Sequence, residues 1–317
     1  PRAANQPPTT NATELLPTSR SRLTDWKLCV VSMTDFSNAD QRNAVSDRVL
    51  AFYRELPFNY RDSAEAASEN VRSHDPVRTY PPLRGLVKRS EVLEIGSGVG
   101  WCSNGLAYHH HSRAHGIDLN PVAVQRATEV AKLLRISSQF QVADVFAFEP
   151  THRYPLVVSL GVLHHTADCH GAIQRICERF LTPNGKFLLG LYHSHGRTPF
   201  LDHFRGLQAA GATEDDLLRE YGRLHQLSGD VTHLRSWFRD QVLHPHETQH
   251  TYAEIRQLLE TQGMTVTATS LNRFQPIVSH QEIERLEVEC SVVSRQAINE
   301  GRYYPGFFVV MAEKVKT

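Results

Sequence analysis

The chain has 317 residues and 40% apolar content, which is enough to fill the core of one large domain or two modest ones. Lysine plus arginine and aspartate plus glutamate both number 34, so the chain has no global basic field that would hold nucleic acid non-specifically. Its five scattered cysteines form no C-x-x-C pair, which argues against a disulfide scaffold and favours a cytoplasmic protein, and no run reaches the roughly 18 apolar residues of a membrane span.

The N-terminal part of the chain changes character twice. Residues 1–24 are rich in Pro, Thr, Ser and Asn, so a disordered or loosely attached tail is predicted there. The chain begins at Pro1, for which we favour a trimmed start over the remnant of a targeting segment. Apolar residues recur at helical spacing over 40–56, which predicts that residues 25–87 form a helical N-terminal extension.

A glycine-rich loop follows an apolar strand at Val92-Leu-Glu-Ile-Gly-Ser-Gly-Val-Gly-Trp101. Glycine tolerates positive φ and lets the main chain approach a ligand closely. A dinucleotide fingerprint would place a third glycine where Trp101 stands. Glu94, two residues before the first glycine, would repel a pyrophosphate and suits an ammonium or sulfonium group. The loop therefore predicts a nucleotide-type cofactor that carries positive charge.

Strands and helices then alternate, as in a parallel sheet with right-handed crossovers. We predict an α/β core over residues 88–192, an inserted helical cap over 193–250, and a C-terminal part of the core over 251–317 with a helical insertion at 271–304. The predicted strands are 91–95, 113–117, 138–143, 155–160, 186–192, 265–269 and 306–311, and the core helices lie near 100–110, 121–134 and 168–181. A capping box at Thr251-Tyr-Ala-Glu254 starts a late helix that ends at Gly263.

Polar residues stand where the predicted strands end. Asp118, about 20 residues beyond the glycine loop, is placed to hold both ribose hydroxyls. Asp144 could accept a hydrogen bond from an exocyclic adenine amine. The fourth strand opens onto the polar turn His164-His-Thr166. Because strand ends converge on one edge of a parallel sheet, these residues predict a single cofactor site.

These four motifs, in this order and spacing, resemble the class I S-adenosylmethionine-dependent methyltransferases over about residues 88–192. The resemblance implies a doubly wound, seven-strand, mostly parallel sheet (the Rossmann-like methyltransferase fold) with an antiparallel final strand, and S-adenosylmethionine as cofactor. It assigns the methionine part to Glu94, Gly96, Ser97, Gly98 and Gly100, the ribose to Asp118 with Leu119 against the adenine, the adenine edge to Asp144 and Val145, and a main-chain contact to Leu160.

Structural interpretations of the same residues stay open. Asp118 and Asp144 could merely cap the following turns. His164 and His165 could be hydrogen-bonding turn residues. Trp101 and Cys102 are expected to be packing residues. Tyr60 and Tyr80 could form an aromatic lid over the sulfonium, although core packing is the favoured interpretation for both.

The predicted cap is rich in histidine. His244, His246, Glu247 and His250 would suit zinc or iron, but Pro245 prevents the regular helical display of an H-E-x-x-H site, so no metal is predicted. We expect instead a hydrogen-bonded cap that recognises substrate. Arg235 and Arg239 would pair an anionic group, with His246 beside them. The candidate catalytic residues, in order, are His165, Tyr192, His193 and His244.

We therefore predict a methyltransferase that acts on a small molecule under the cap, without nucleic-acid or membrane partners. One alternative is a tRNA-modifying transferase, because Ser159-Leu-Gly-Val-Leu-His164 also resembles enzymes that install wobble-uridine groups. Its basic face would be formed by Arg197, Arg205, Arg235 and Arg239. The other alternative is a non-catalytic cofactor-binding subunit, against which the acids Glu94 and Asp118 argue.

Overall fold

Seven strands form one mixed sheet in the computed structural model, which describes residues 42–226 and 230–314. The order across the sheet is β3-β2-β1-β4-β5-β7-β6, and only β7 runs antiparallel to its neighbours. The strands are β1 (Glu91–Ile95), β2 (Arg113–Asp118), β3 (Gln139–Val142), β4 (Tyr154–Leu160), β5 (Leu181–Tyr192), β6 (Met264–Thr269) and β7 (Phe307–Lys314). The doubly wound fold and the antiparallel final strand are confirmed, whereas the predicted tail at 1–24 lies outside the described residues.

Helices cover both faces of the sheet. They are α1 (42–55), α2 (Ala64–Ser73), α3 (Pro76–Thr79), α4 (Trp101–His110), α5 (Pro121–Leu134), α6 (Cys169–Arg175), α7 (Ser194–Ala209), α8 (Glu214–His225), α9 (Val231–Val242), α10 (Tyr252–Thr261) and α11 (His280–Asn299). None of those in the described ranges is long and apolar enough to cross a membrane.

Alternate residues of the central strands fill two separate cores. Val157 of β4 belongs to a core shared with α6, α10 and α11, and its neighbour Val158 belongs to a core shared with α3 and α4. Side chains of a strand point alternately to opposite faces, so a strand buried on both faces is a nearly continuous apolar run. This accounts for the continuous burial of residues 92–95 in β1, 156–159 in β4 and 187–192 in β5.

The strand order places a crevice at one edge of the sheet. β1 lies between β2 on one side and β4 on the other, so the connections leaving β1 and β4 depart to opposite faces. Ligands of open α/β sheets bind beyond the carboxyl ends of the strands at such a point. The glycine loop leaves β1 there, and the His164-His165 turn leaves β4 beside it.

Helices α7, α8 and α9 share an apolar core of their own. It contains Phe200, Phe204, Tyr221 and Phe238, and Ile298 of α11 completes it. α11 also contacts α7 along its length, and Ser294 Oγ donates a hydrogen bond of 2.8 Å to the Gly196 carbonyl. The segments 193–250 and 271–304 therefore pack on each other.

The start of β5 differs from the prediction. Leu181 already pairs with Tyr154 of β4, and the register then shifts so that Leu156 pairs with Lys186. The residues between form a bulge in which Asn184 adopts a left-handed φ of 62°. Upstream, the predicted helix at 168–181 ends at Arg175 and continues as a π-helical turn over Ile176–Phe180. The early start of β5 arises from pairing with β4, which a local pattern does not contain.

Candidate active site

A cavity of about 960 Å³, including its open mouth, lies at the carboxyl ends of β1, β2 and β4. Its wall combines the glycine loop, the ends of three strands and side chains of α1 and α9. The structure brings eight of the predicted site residues together in this wall: Gly96, Gly98, Asp118, Leu119, Asp144, Val145, Leu160 and His165.

The glycine loop requires glycine for two different reasons. Gly96 has φ 71°, and a Cβ there would lie 2.3 Å from a Val162 methyl group. Gly98 has φ 51°, and a Cβ there would meet nothing within 4 Å, because the residue faces the open cavity. Gly100 does not line the cavity and is the left-handed N-cap of α4, with φ 81°. The loop thus leaves room for a ligand against its main chain.

Asp118 ties the glycine loop to the turn after β2. Its Oδ2 accepts from the Gly98 N–H at 2.7 Å, and its Oδ1 accepts from the Asn120 N–H at 2.8 Å. Burial raises the pKa of Asp118, although these two hydrogen bonds oppose the shift. Each carboxylate oxygen retains a further lone pair, so Asp118 can accept from both hydroxyls of a ribose while holding the loop.

Asp144 makes a similar local turn on the other side of the cavity. Its Oδ1 accepts from the Phe146 N–H at 2.8 Å. Asp144, Val145 and Phe146 all line the cavity wall. The capping role that the sequence left open is therefore present for both Asp118 and Asp144, together with exposure to the cavity.

Glu94 points away from the cavity. Its Oε2 accepts from both the N–H and the hydroxyl of Ser103 in α4, with a distance of 2.9 Å for the N–H. Burial raises the pKa of Glu94 to about 7, and the hydrogen bonds from Ser103 counteract part of that shift. Ser97 also lies outside the cavity wall, and its buried hydroxyl finds no hydrogen-bond partner among the described residues. Both residues support the loop from behind.

A second group of polar side chains meets at the inner end of the cavity around Asp240. The Tyr53 hydroxyl donates to Asp240 Oδ1, and the Tyr192 hydroxyl donates to Asp240 Oδ2 at 2.9 Å. Burial raises the pKa of Asp240, and both phenols oppose that shift. His165 Nε2 lies 3.8 Å from Asp240 Oδ1. Tyr53, His165 and Asp240 all line the cavity.

The hydrogen bonds of His165 fix its tautomer. Nδ1 lies 2.9 Å from the His246 carbonyl oxygen, which can only accept, so the proton is assigned to Nδ1. Burial lowers the pKa of His165 to about 3, which keeps the ring neutral. Nε2 is then a buried acceptor without a partner among the described residues. The His244 ring stacks on His165 with centroids 3.6 Å apart and holds it in place.

Helix α1 closes the cavity on the side away from the sheet. Ser46, Val49 and Tyr53 line the wall from this helix. The Asn120 side chain donates to the Tyr53 carbonyl at 2.9 Å and accepts from the Val122 N–H at 3.0 Å. Asn120 thereby attaches α1 to the same turn that Asp118 holds.

Sequence reasoning missed Tyr53, Asn120 and Asp240 as site residues. Asn120 is the N-cap of the helix that the sequence predicts near 121–134. Tyr53 belonged to a helical pattern, and Asp240 stood between two predicted cap residues without any local feature. The Tyr53–Asp240 hydrogen bond joins residues 187 positions apart, so no local pattern could indicate it.

Several predicted residues lie outside the cavity wall. His193 caps α7, and its Nε2 lies 2.9 Å from Glu287 Oε1. His246 Nε2 contacts the Thr166 carbonyl at 3.1 Å. Tyr192 and His244 lie behind the wall, in contact with Asp240 and His165 as described above.

The two predicted substrate arginines face acids on the surface. Arg235 lies 3.6 Å from Glu214 and 3.9 Å from Asp215. Arg239 pairs with Glu55 at 2.6 Å. The structure therefore does not bring either guanidinium into the cavity.

The aromatic lid suggested for the sulfonium is not assembled. Tyr60 packs under the Arg126 guanidinium, 4.5 Å from ring centroid to Cζ, and Tyr80 packs against Trp101 with centroids 6.4 Å apart. Neither tyrosine lines the cavity, so both take the packing role that the sequence favoured.

Comparison with known proteins adds a family to this geometry. Residues 86–226 match a family model described as a methyltransferase domain. Phosphoethanolamine N-methyltransferase 3 of Arabidopsis thaliana is 26% identical over 156 residues, which is 49% of this chain and 31% of the relative. A putative protein N5-glutamine methyltransferase of Methanocaldococcus jannaschii is 42% identical over 60 residues, or 19% of this chain and 30% of the relative. The chain thus spans less than a third of the length of these curated relatives.

Among solved structures, PKMT2 from Rickettsia typhi in complex with AdoHcy superposes with a TM-score of 0.53 at 14% identity, covering 78% of this chain and 54% of that chain. At this identity the likeness shows the fold alone. The family match over residues 86–226 contains β1 to β5, the glycine loop, Asp118, Asp144 and His165. Residues 86–226 therefore match a methyltransferase domain, which bears out the resemblance to the class I S-adenosylmethionine-dependent methyltransferases over this part of the chain.

Proposed function

We propose that the protein transfers a methyl group from S-adenosylmethionine to a small acceptor that carries an N–H or O–H group. The observation that carries this proposal is the continuity of one cavity. Its outer part is walled by Gly96, Gly98, Asp118 and Asp144, and its inner part by Tyr53, His165 and Asp240. A site of this form can hold a nucleoside cofactor and an acceptor side by side.

The residues of the outer part fit the cofactor. Asp118 keeps lone pairs for a ribose, Gly98 leaves open space against the loop, and Leu119 with Val145 offers apolar surface for an adenine. When bound, S-adenosylmethionine supplies a methyl group on a positively charged sulfur. The role of the protein would be to hold the acceptor atom about 3–3.5 Å from the methyl carbon and to exclude water.

The inner part of the cavity is rich in acceptors and poor in donors. The Tyr53 and Tyr192 hydroxyls donate hydrogen bonds to Asp240, and Nδ1–H of His165 donates one to the His246 carbonyl. Nε2 of His165 and Oδ1 of Asp240 then lie 3.8 Å apart with only lone pairs between them. A donor hydrogen from a bound molecule would satisfy both, which is why we infer an acceptor with an N–H or O–H group.

This arrangement also gives a place for the proton that methylation releases. Nε2 of His165 is the basic atom nearest to Asp240, and a protonated ring there would be stabilised by the buried carboxylate. Burial keeps His165 neutral with its Nε2 lone pair available, and because its pKa is lowered to about 3, a proton taken up there needs the stabilisation that Asp240 would give. His165 is therefore the proposed base. Tyr53 and Tyr192 are positioning residues, because they act on Asp240.

Charge pairing supports a small acceptor over tRNA. Arg197 is buried and pairs with Glu247 at 2.7 Å, and Arg205 pairs with Asp202 at 3.5 Å. Arg235 and Arg239 pair with acids as described above. All four arginines of the hypothetical basic face are thus neutralised by carboxylates, which leaves little attraction for a phosphate backbone. The relative named phosphoethanolamine N-methyltransferase is consistent with a small amine acceptor.

The predicted cap at 193–250 contributes to the cavity through one helix. Asp240 of α9 lines the wall, and α9 packs into the core shared with α7 and α8. We propose that this helical unit, together with α1, encloses the acceptor. Residues 88–192 would then hold the cofactor, and the C-terminal strands would complete the sheet.

The proposal is tested by transfer of a tritiated methyl group from S-adenosylmethionine to two pools, one of small amines and phenols and one of total tRNA. We expect incorporation into the small-molecule pool, and a loss of about 10²–10⁴-fold in rate for His165→Gln with cofactor affinity retained. His152→Gln, at an exposed histidine outside the cavity, is the control. Labelled tRNA would support the alternative transferase, and cofactor binding without transfer to either pool would support the non-catalytic subunit.

A further inference from the structure

Three metal-ligating side chains meet outside the cavity, on a surface formed by α6 and α10. His170 Nε2 lies 2.6 Å from Glu254 Oε1, and His250 Nδ1 lies 3.0 Å from the same oxygen. All three ligand atoms lie within 4.8 Å of one another. We propose that His170, His250 and Glu254 bind a divalent transition-metal ion of the Zn²⁺ class.

The chemistry of the three ligands selects the ion. Two imidazole nitrogens and one carboxylate oxygen suit zinc, with a fourth position left for water. Bonds of about 2.0–2.2 Å to a tetrahedral ion place ligand atoms roughly 3.3–3.6 Å apart. The two nitrogen–oxygen separations here, 2.6 and 3.0 Å, are hydrogen-bond distances, so the exposed side chains of His170 and Glu254 must rotate apart to admit an ion. A hard ion such as Mg²⁺ would find only one oxygen ligand.

Local structure holds each ligand in place. His170 is the second residue of α6, whose N-cap Asp168 accepts from the Gly171 N–H at 2.8 Å. Glu254 occupies the third position of α10 in a capping box with Thr251. His250 is buried, and its main-chain N–H donates to the Tyr192 carbonyl at 2.9 Å. The ligands therefore lose little conformational freedom on binding an ion.

A chain of hydrogen bonds directs His250 toward the ion. Thr248 Oγ1 donates to the His164 carbonyl at 3.2 Å and contacts His250 Nε2 at 2.8 Å. With its proton on His164, the Thr248 hydroxyl accepts from Nε2–H, which leaves the lone pair of Nδ1 directed at Glu254 Oε1. Nδ1 and the carboxylate oxygen lie 3.0 Å apart, so a cation between them, either a proton or a metal ion, would satisfy both. Metal-bound histidines ordinarily donate their other ring N–H in this way.

The ion would hold in place a segment, here called the strap, that positions the proposed base His165. Residues 244–250, the strap, run past the turn after β4, where the Thr248 N–H donates to the His164 carbonyl at 2.7 Å. The His246 carbonyl in the strap accepts from His165 Nδ1. Metal binding at His250 would tie the strap to α6 and α10, two elements outside it. The metal role is structural and does not depend on methyl transfer.

This set differs from the one that the sequence considered. Of His244, His246, Glu247 and His250, only the last belongs to the cluster. His244 stacks on His165, His246 contacts Thr166, and Glu247 is held by Arg197. The neighbours of His250 in the cluster are His170 of α6, which is distant in sequence, and Glu254, which the sequence identifies only as part of a capping box.

The site is tested by calorimetric titration of Zn²⁺ into the chelator-treated full chain and by the visible absorption of Co²⁺ in its place. We expect one equivalent of Zn²⁺ and the intense band of tetrahedral Co²⁺. His170→Ala and Glu254→Gln should each weaken binding by more than about 100-fold, since losing an outer-shell partner alone costs 10–100-fold. Glutamine keeps the capping box, so Glu254→Gln should stay folded.

The matched control is His203→Ala. His203 Nε2 lies 2.8 Å from Glu220 Oε1, so the pair resembles His170 and Glu254. However, no third ligand joins it within the described ranges. His203→Ala should still bind one equivalent of Zn²⁺ with the affinity of the native sequence. The site would be overturned if the native sequence and His170→Ala, both folded by circular dichroism, bound Zn²⁺ with equal affinity. It would also be overturned if the native sequence bound no equivalent of Zn²⁺ tightly.

Discussion

Glu94, Asp118 and Asp240 are three buried acids near one cavity, and their neighbours give each a different role. Asp118 accepts from two main-chain N–H groups and faces the cavity. Glu94 accepts from Ser103 and faces α4. Asp240 accepts from two phenols at the inner end of the cavity. Burial raises the pKa of all three, but only Asp118 and Asp240 can contact a ligand directly.

The raised pKa of Glu94 predicts a pH dependence of stability. The folded chain holds the proton up to about pH 7, whereas the unfolded chain releases it near 4.5. The protonated form therefore stabilises the fold fully below about pH 4.5, and that contribution is lost as pH rises to about 7. Urea unfolding of the native sequence should lose up to about 3 kcal/mol over this window relative to Glu94→Gln.

Glu94→Gln is its own control for the other titrating groups, because glutamine keeps an oxygen that accepts from Ser103 and cannot ionise. The difference between the two unfolding free energies isolates Glu94. If that difference stays constant between pH 4.5 and 7.5, the Glu94 carboxylate is not destabilised by burial.

Tyr53 is predicted to position Asp240 and not to hold the cofactor. Removing its hydroxyl in Tyr53→Phe deletes a hydrogen bond to a buried carboxylate, an interaction of about 1.5–3 kcal/mol. We expect the turnover number for the small acceptor to fall by roughly 10- to 100-fold, with the Kd for S-adenosylmethionine nearly unchanged. Tyr60→Phe, which removes a hydroxyl bonded to Arg126 outside the cavity, is the control. Equal losses in both variants would remove Tyr53 from the site.

At the scale of elements, the loop between β1 and α4 depends on close approach as well as on φ. Gly96 and Gly85 have similar positive φ of 71° and 80°, but only Gly96 has a neighbour within 4 Å of a built Cβ. Gly96→Ala should therefore destabilise the chain by about 1–3 kcal/mol more than Gly85→Ala, in urea unfolding. Equal destabilisation would mean that backbone strain alone explains the glycine.

The sequence predicted most elements because their patterns are local. The capping box at Thr251 and the mainly apolar stretches of β1 and β4 all depend on residues within a few positions. The bulge at the start of β5 was missed because it depends on pairing with β4. Likewise, the predicted residues that follow strand ends, His165 among them, line the cavity, whereas Tyr53 and Asp240 were not predicted as site residues.

The proposed acceptor side of the cavity is assembled from distant parts of the chain. Tyr53 comes from α1, His165 from the turn after β4, and Asp240 from α9, and they meet only once the helices have packed. No spacing in the sequence connects them. The predicted arginines of α9 fail to reach the cavity because Glu55, Glu214 and Asp215 lie nearer to them. The structure therefore places Asp240 of α9 in the cavity wall, and not the two arginines of the same helix.

We propose that one cavity binds S-adenosylmethionine through Asp118. Calorimetric titration of S-adenosylmethionine and S-adenosylhomocysteine into the full chain tests it most directly, with Asp118→Ala as the variant and the exposed Asp202→Ala as control. We expect one equivalent of each ligand, a loss of at least about tenfold in affinity in Asp118→Ala, equivalent to about 1.4 kcal/mol, and no change in Asp202→Ala. Absence of binding to the native sequence, or equal affinity in Asp118→Ala, would contradict the account.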